Sequence, residues 1–557
     1  MVRVRLVFLL IIFLSAGSNA DIDYSQIPQE WVTFLKHEFM NIVQRRDEIV
    51  PETSQKIIEI HHIEVPEQKA DSFKSSFLDK NSSKYAYTEK DGKKFVRFFF
   101  DKSALEKRKL KRLKKLFPDQ IKQEFLGVRL QGHSSYFVWK PDDKTYRPVI
   151  LKFQKENHNL KGILRNGVRV NDFVEKTLLE SNNSSIGFLP ERFTSTFKMN
   201  QGKSYSYLIR DLVSPHIADK SARLVPMHGL LSRGELLKNL AAKKKMTVDD
   251  WIRKIYIPKL AEFSATINLE HGFYVEGHTQ NLLAFINEET GDLSSIGFRD
   301  LSDVMVDSHL RISQGKALNY DPQKSIWSVV NENFVGAEVA KRPGYNIGIY
   351  TGQSVSDLYL DERKNAKLTL EFMEQYQKAA EKKLNRKITL SPDAKKYILL
   401  MEDYANGRVD NLQRIWPKER GWGEFIGAMS EIQQEIYEEF FKDTIPSVTD
   451  ESFVYKQSVL KRLYNNQKGR NLVTYLDPGG VEKSRPDFFK KILFGFDGKG
   501  IFTYHPKTKK VLSYAHTVSD ANIKVINSNK LRMSVLKQGG CLSRLLRNLL
   551  RSTVPAN

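Results

Sequence analysis

One cysteine, Cys541, stands among the 557 residues. A disulfide needs two, so no internal cross-link staples this chain, and a cysteine-built metal site is excluded with it. Stability therefore has to come from packing. Long apolar runs are also missing: a membrane-spanning helix needs about 20 apolar residues, and nothing after the first 20 positions comes close. Neither a P-loop nor a G-x-G-x-x-G occurs, so any phosphate is expected to be held by side chains rather than by a backbone cradle. No zinc finger, RNP-like stretch, internal repeat or low-complexity tract is present, and no specific nucleic-acid partner is expected. Acidic residues are in deficit, 66 Asp+Glu against 88 Lys+Arg, which gives a formal net charge of +22. Such an excess favours anionic partners (nucleotides, polycarboxylates, nucleic acid or acidic membranes) without choosing among them.

What the chain does have begins with "MVRVRLVFLLIIFLSAGSNA". Arg3 and Arg5 precede an apolar run from Leu6 to about Ala16, followed by Ser18 and Ala20 at small-residue positions. This is the pattern of a secretory signal peptide, residues 1–20, cut before Asp21. An uncleaved anchor is the other reading of the same run. The expected destination is outside the cytoplasm, periplasmic or secreted. The mature chain then has no transmembrane segment, and a homodimer is compatible with it. Asn81, Asn182 and Asn183 stand in N-glycosylation sequons, which matter only in a glycosylating secretory pathway.

Hydrophobic periodicity divides the remainder. Residues 21–125 read as mixed α/β, with a helix around Trp31 to Arg46 and a strand at Phe95 to Phe100. In "DKSALEKRKLKRLKKLF", Ser103 and Glu106 form a capping box, and Leu105, Leu110, Leu113 and Phe117 make one apolar stripe. The opposite face carries Lys and Arg, read as a solvated surface. Residues 126–310 are strand-rich: "YFVWKP", "RPVILKFQ", "SYSYLIRDL" and a hairpin within 274–300. The helical pattern "VDDWIRKIYIPKLAEFSATINLEHG" precedes that hairpin, with Gly272 suited to its end. Residues 311–465 turn helical, with Ser391-Pro392 opening a helix that Gly407 stops. Residues 466–557 hold a hairpin around Asp497-Gly498 and end in the basic amphipathic "LSRLLRNLLR". The fold class expected is α+β.

The stretch "YVEGHTQNLLAFINEETGDLSSIGFRD", residues 274–300, carries unusual polarity for an apolar hairpin. In a strand, alternate side chains share a face, so Glu276, His278 and Gln280 would project together. If Ile286 pairs near Leu293 or Ser294, Asp300 falls opposite residue 279 or 280, and Asn281 and Arg299 lie close by. Any one of these residues has a structural explanation; gathered in one place they predict a site. Carboxylate and amide oxygens are hard donors, suited to Mg²⁺ shared with phosphates, and His278 can donate to a phosphate or a developing anion. A zinc site from His271 and His278 lacks a third ligand. Lys152, in the strand of "RPVILKFQ", would need an anionic partner if buried, which a phosphate or a structural carboxylate could supply. Arg165 follows in the glycine-containing "LKGILRNGVRV", read as a turn region.

Taken in order, these segments resemble the NRPS-independent siderophore synthetases of the aerobactin-synthetase type. The resemblance rests on "ILKF", "GILR", "YLIRDLVSP", "RLVPMHGLLS", "WIRKIYIPKL", "HGFYVEGHTQNLL" and "GFRDLSDV". It covers about 126–310 and extends only loosely into the following helical region. The E-x-H-x-Q-N motif with a later Arg-Asp carries most of it. The resemblance implies a cupped-hand fold, with a β-rich palm that binds ATP and Mg²⁺ in 126–310, a helical domain and a small C-terminal β region. It implies activation of a citrate-like carboxylate as an acyl-adenylate, which an amine or alcohol then attacks. By position, Lys152, Arg165 and His278 would be the catalytic phosphate contacts. Ser134, Ser135 and Gln280 would complete the nucleotide site, and Glu276, Asn281 and Asp300 would serve the metal. The family's Ser-x-Arg-Thr-like motif has its counterpart in "GHSSYFVWK", where Tyr136 or Phe137 replaces the arginine and Lys140 is the nearest cation. Two further functions fit the same residues: an exported, catalytically altered binder of nucleotide or polycarboxylate, and a phosphoryl or adenylyl transferase acting on a protein.

Overall fold

The computed structural model describes residues 22–39, 56–101, 121–130, 135–154, 161–198, 204–215, 217–219, 221–301, 304–306, 354–355, 358–359, 361–390, 392–409, 432, 435, 493–496, 500–505 and 510–516. The expected leader 1–20, the helix expected over 103–117, Ser134, Ser391, Asp497-Gly498, Cys541 and the basic tail lie outside them. The strands in chain order are β1 (Ile57–Pro66), β2 (Asp71–Lys74), β3 (Tyr87–Lys90), β4 (Lys93–Asp101), β5 (Lys122–Arg129), β6 (Ser135–Trp139), β7 (Val149–Gln154), β8 (Ile186–Phe188), β9 (Glu191–Lys198), β10 (Ser204–Asp211), β11 (Arg223–Pro226), β12 (Phe273–Tyr274), β13 (Leu282–Asn287), β14 (Asp292–Phe298), β15 (Met305–Val306), β16 (Leu493–Phe496), β17 (Gly500–His505) and β18 (Lys510–His516). The protein is α+β. It divides into two units, each assembled from two stretches of chain: residues 1–164 with 190–213, and 165–189 with 214–557.

The first unit is an antiparallel nine-stranded sheet in the order β2-β9-β10-β7-β6-β5-β1-β4-β3. Residues 60–65 of β1 and 96–100 of β4 are buried without alternation, so both faces of these strands are covered. Aromatics dominate the filling. Phe99 packs edge-on against Phe125 and Tyr207, with ring centroids 5.3 and 5.6 Å apart, the offset geometry that ring quadrupoles prefer. The helix Val32–Glu38 realises the first part of the helix expected around Trp31, and sets Phe34 6.4 Å from the Phe137 ring. Edge strands β2 and β3 are only four residues long, which limits unwanted pairing.

The second unit is built on the four-stranded sheet β11-β13-β14-β8. Its hairpin has the expected register, Ile286 facing Leu293, with an irregularity between Phe285 and Ile286. β8 joins β14 in parallel, placing Gly187 beside Gly297. A Cβ on Gly297 would lie 2.7 Å from the Phe285 ring and 2.8 Å from the Gly187 backbone. The close approach of these two strands under one aromatic ring therefore requires hydrogen at both positions. Gly297→Ala is expected to destabilise by about 2 kcal/mol through overpacking, read as a lowered thermal midpoint; an unchanged midpoint would show that Phe285 moves aside freely.

A helical run covers this sheet: Val248–Trp251, a π segment at Ile252–Tyr256, Ile257–Ala265, and a second π segment at Thr266–His271. Thr247 caps its start by accepting from the Asp250 N–H, and Gly272 ends it at φ 65°, as its position predicts. The Trp251 indole donates to Gly291 O at 3.1 Å and pins the hairpin turn to the helix. Glu362–Leu384 and Pro392–Ala405 supply the predicted helices further on, the latter followed by Gly407 at φ 75°. The C-terminal hairpin is present as β16–β17, and β18 adds a third strand that the sequence reading omitted.

Candidate functional site

The second π segment delivers the chain through Gly272 into β12, which pairs Phe273 with Val306 and Tyr274 with Met305. Residues 275–281 then form a loop closed by a turn, with no strand pairing. This corrects the expectation that Glu276, His278 and Gln280 share a strand face. The reason lies in the backbone bonds. The N–H groups of Asn281 and Leu282 both donate to His278 O, at 2.9 and 3.1 Å, so the chain folds on itself where a ladder would have to run.

The turn still gathers the side chains. Asn281, buried, donates through Nδ2 to Glu276 Oε2 at 2.8 Å. His278 Nε2 lies 3.7 Å from the same carboxylate oxygen, and both side chains keep partial access to solvent. Arg299 N–H donates to Asn281 O at 2.9 Å, so the end of β14 is tied directly to the turn. Asp300 follows at once, half-buried, in the left-handed region at φ 72°. Apart from glycine, asparagine and aspartate, few residues adopt that conformation, and five other described non-glycine residues share it here. An observed outlier of this kind, sustained by its surroundings, is a common mark of functional positions. Gln280 sits in the turn, half-buried.

Two anchors hold the turn from outside. His228 N–H donates to Thr279 O at 3.2 Å. The Ser354 hydroxyl donates to Gly277 O, and Tyr256 OH donates to Ser354 O at 3.2 Å. The sequence reading missed His228, Ser354 and Tyr256. A cavity of about 10 Å³ beside the turn, lined in part by Phe263, Ser264, Asn268 and Tyr274, is too small for a nucleotide.

The remaining predicted residues are placed as follows. Lys152 lies on β7, half-buried, directly across from Ser135 on β6 and from Leu208 on β10. Register partners in an antiparallel pair bring their Cβ atoms to about 5 Å, so the lysine and the serine assigned to phosphate share one face. Arg165 is not in a turn: it falls in the 20-residue helix Lys161–Glu180. The spacing of Leu164, Val168, Phe173, Val174 and Leu178, all buried, is helical and outweighs the two glycines that suggested a turn. Lys152 and Ser135 belong to the first unit, and Arg165 and the 275–300 residues to the second.

The motif segment "YLIRDLVSP" supplies a buried ion pair rather than site chemistry. Arg210 Nη2 bonds Glu191 Oε1 at 2.6 Å, with both side chains almost fully buried. Asp211 accepts two bonds from Arg147, at 3.0 and 2.9 Å. Tyr136 and Phe137 are core residues, 4% and 0% exposed, and Lys140 lies near Glu124 and Asp143 and over the Tyr146 ring.

Among the described residues, no three His, Cys, Asp or Glu side chains cluster with metal-cage geometry. His271 shares a 3.1 Å hydrogen bond with Asn183 through Nε2 and stacks on Phe273, which engages it away from any zinc site. At the turn itself the oxygens within reach of one another are those of Glu276 and Asn281, donor types that suit a hard cation sharing phosphate oxygens, and Asp300 follows Arg299, whose backbone is tied to Asn281.

No family model matches this chain, and no curated protein does. Solved structures similar to it include an aerobactin synthetase from a hypervirulent pathotype of Klebsiella pneumoniae, with 10% identity and a TM-score of 0.43 over 60% of this chain and 65% of that one. An ATP-bound aerobactin synthetase from the same source gives 12% identity and a TM-score of 0.38 over 61% and 65%. A petrobactin biosynthesis protein of Bacillus anthracis gives 13% and 0.43 over 59% and 62%. In each case the chain spans less than two thirds of the solved protein's length.

Proposed function

We propose that this chain binds Mg·ATP and acts as an ATP-dependent ligase of the siderophore-synthetase kind, joining a citrate-like carboxylate to an amine or alcohol. The observation that carries this is the 275–281 turn. It bonds Asn281 to Glu276, holds His278 near the same carboxylate, and is tied to the strand end that presents Asp300 in a strained backbone conformation. Glu276, Asn281 and Asp300 would hold the magnesium, whose contribution when bound is to neutralise phosphate charge. Lys152, Arg165 and His278 would contact the phosphates, with Ser135, Ser134 and Gln280 completing the nucleotide site. In the reaction proposed, a substrate carboxylate oxygen bonds the α-phosphorus and pyrophosphate leaves. The amine or alcohol then bonds the acyl carbon and displaces AMP. Fixed cations that meet the charge developing on the phosphates favour the first step. The net charge of +22 favours capture of both anionic substrates. The proposed setting, after removal of residues 1–20, is periplasmic or secreted, in the service of iron acquisition.

A second reading draws on one specific observation. The position expected to carry the family's arginine is filled by buried aromatics, Tyr136 and Phe137. Losing one charge-assisted contact costs a few kcal/mol at most, so nucleotide binding survives while turnover falls by orders of magnitude.

Calorimetry of the mature protein with Mg·ATP, with and without citrate, tests both. Saturable binding is expected, tightened or accompanied by pyrophosphate release when citrate and a diamine are present. Binding without release selects the second reading, and no binding at all removes both. Lys152→Met, which keeps the apolar stem, is expected to weaken ATP binding about 10-fold with little change in thermal midpoint. A large loss of stability at unchanged affinity would instead make Lys152 a structural cation.

A further inference from the structure

The turn at 275–281 has no ladder of its own, so the placement of Glu276 and His278 depends on what fixes its carbonyls. Gly277 lies between these two residues and is buried. Its carbonyl accepts from the hydroxyl of Ser354, a residue 77 positions further along and 0% exposed. Ser354 is in turn held by its own carbonyl, which accepts from Tyr256 OH at 3.2 Å. Tyr256 is 0% exposed and closes the π segment Ile252–Tyr256, and burial raises its phenol well above the usual range, so it remains a donor. A π segment widens a helix locally and turns side chains to angles that an α-helix does not offer. Three elements far apart in sequence thus meet in one line of hydrogen bonds that ends on the backbone between two site residues.

We infer that Ser354, backed by Tyr256, is a positioning residue for the site: it sets the orientation of the peptide that places Glu276 and His278 around the bound cation and phosphates. This rests on the nucleotide–metal function proposed above. The physical case is asymmetry. A buried carbonyl deprived of its donor bears the full cost of desolvation, and the turn can relieve that cost by rotating the 277 peptide toward water. Rotation acts directly on His278, whose nitrogen shares this peptide, and reaches Glu276 through Gly277. A displacement near 1 Å at such groups is enough to degrade a binding constellation.

The test uses Ser354→Ala and Tyr256→Phe in the full mature chain, each of which removes one hydroxyl and adds no volume. Two quantities are read: amide hydrogen exchange of peptides covering 275–282 and, as a control, 57–66, and the Kd for Mn·ATP by calorimetry. For Ser354→Ala, exchange at Asn281 and Leu282, whose N–H groups close the turn, should rise at least 10-fold while the 57–66 strand stays unchanged. Mn·ATP affinity should fall about 10-fold. Tyr256→Phe should give the same pattern with smaller effects. Exchange at 275–282 that stays at the parent's level, or rises equally in 57–66, overturns the positioning role. The proposed function fails by a different signature, a parent protein that does not bind Mn·ATP. The exchange arm still decides whether Ser354 holds the turn in that case.

Discussion

Asp300→Asn is expected to weaken Mg·ATP binding about 100-fold, close to 3 kcal/mol, while the protein stays folded. Asparagine tolerates the left-handed backbone found at φ 72°, so the substitution removes the charge without disturbing the chain. Alanine would confound the two. Glu276→Gln should act alike, because a glutamine oxygen can still accept from Asn281 Nδ2 while offering the metal a neutral ligand. Both side chains are only half-buried, so thermal midpoints should remain near the parent's. Calorimetry on the two variants decides the matter: binding equal to the parent's in both would remove the metal site from this turn.

The second large effect is on stability against pH, and it involves two buried groups in the first unit that act in opposite directions. His62 is 0% exposed between the rings of Phe99 and Phe125, and neither ring nitrogen has a hydrogen-bond partner. Burial, reinforced by Arg97, Lys122 and His61 against Glu64, pushes its pKa down to about 3. Below the ordinary value of 6.5 the unfolded chain takes up a proton that the folded protein refuses. Stability therefore falls with acidification, by about 1.4 kcal/mol per pH unit. Asp211 does the reverse: burial, opposed by Arg147 and aided by Asp79, raises its pKa to about 6. Between about pH 6 and the ordinary 3.8 the folded protein takes up the proton first, so this group adds stability as pH falls and loses it as pH rises through 6. His62→Phe should therefore gain on the parent by about 2–3 kcal/mol between pH 7 and 4.5. Asp211→Asn should lose ground over the same range by a similar amount. Urea unfolding of parent and variants at several pH values reads both slopes; parallel curves would show that neither group is buried in its folded charge state as described.

Those two groups were invisible to the sequence reading. A histidine in "EIHHIEV" and an aspartate in "IRDL" differ from exposed ones only through strands brought in from elsewhere. The hairpin, by contrast, was readable to within one residue of its register, because two apolar runs flank the turn signal "NEETGD". The same logic misled one step earlier. "VEGHTQN" alternates like a strand, yet Gly277 and the Thr279-Gln280-Asn281 run let the backbone close on His278 O instead. Glu276, His278 and Asn281 do come together, but through a turn and not on a strand face. Arg165 shows the opposite fault, since two glycines drew attention from an apolar period that runs for 20 residues. Ser354 carried no signal at all, and Tyr256 stood unmarked inside "WIRKIYIPKL". Their role exists only through contacts spanning 77 and 98 positions, and nothing in the residues themselves announces a π segment.

The chain enters the second unit at residue 165, leaves it at 190 for β9 and β10, and returns at 214. Strand β8 belongs to that first visit, yet its parallel partner β14 lies about 110 residues further on. At a synthesis rate of about 5–20 residues per second, β8 waits roughly 5–20 s with its edge open. Gly187 offers it no side chain as protection. The first unit's last residue, 213, is made early in that interval, so for most of it only the second unit is incomplete. The glycine contact that makes the finished sheet tight can therefore form only after about 110 further residues have been made.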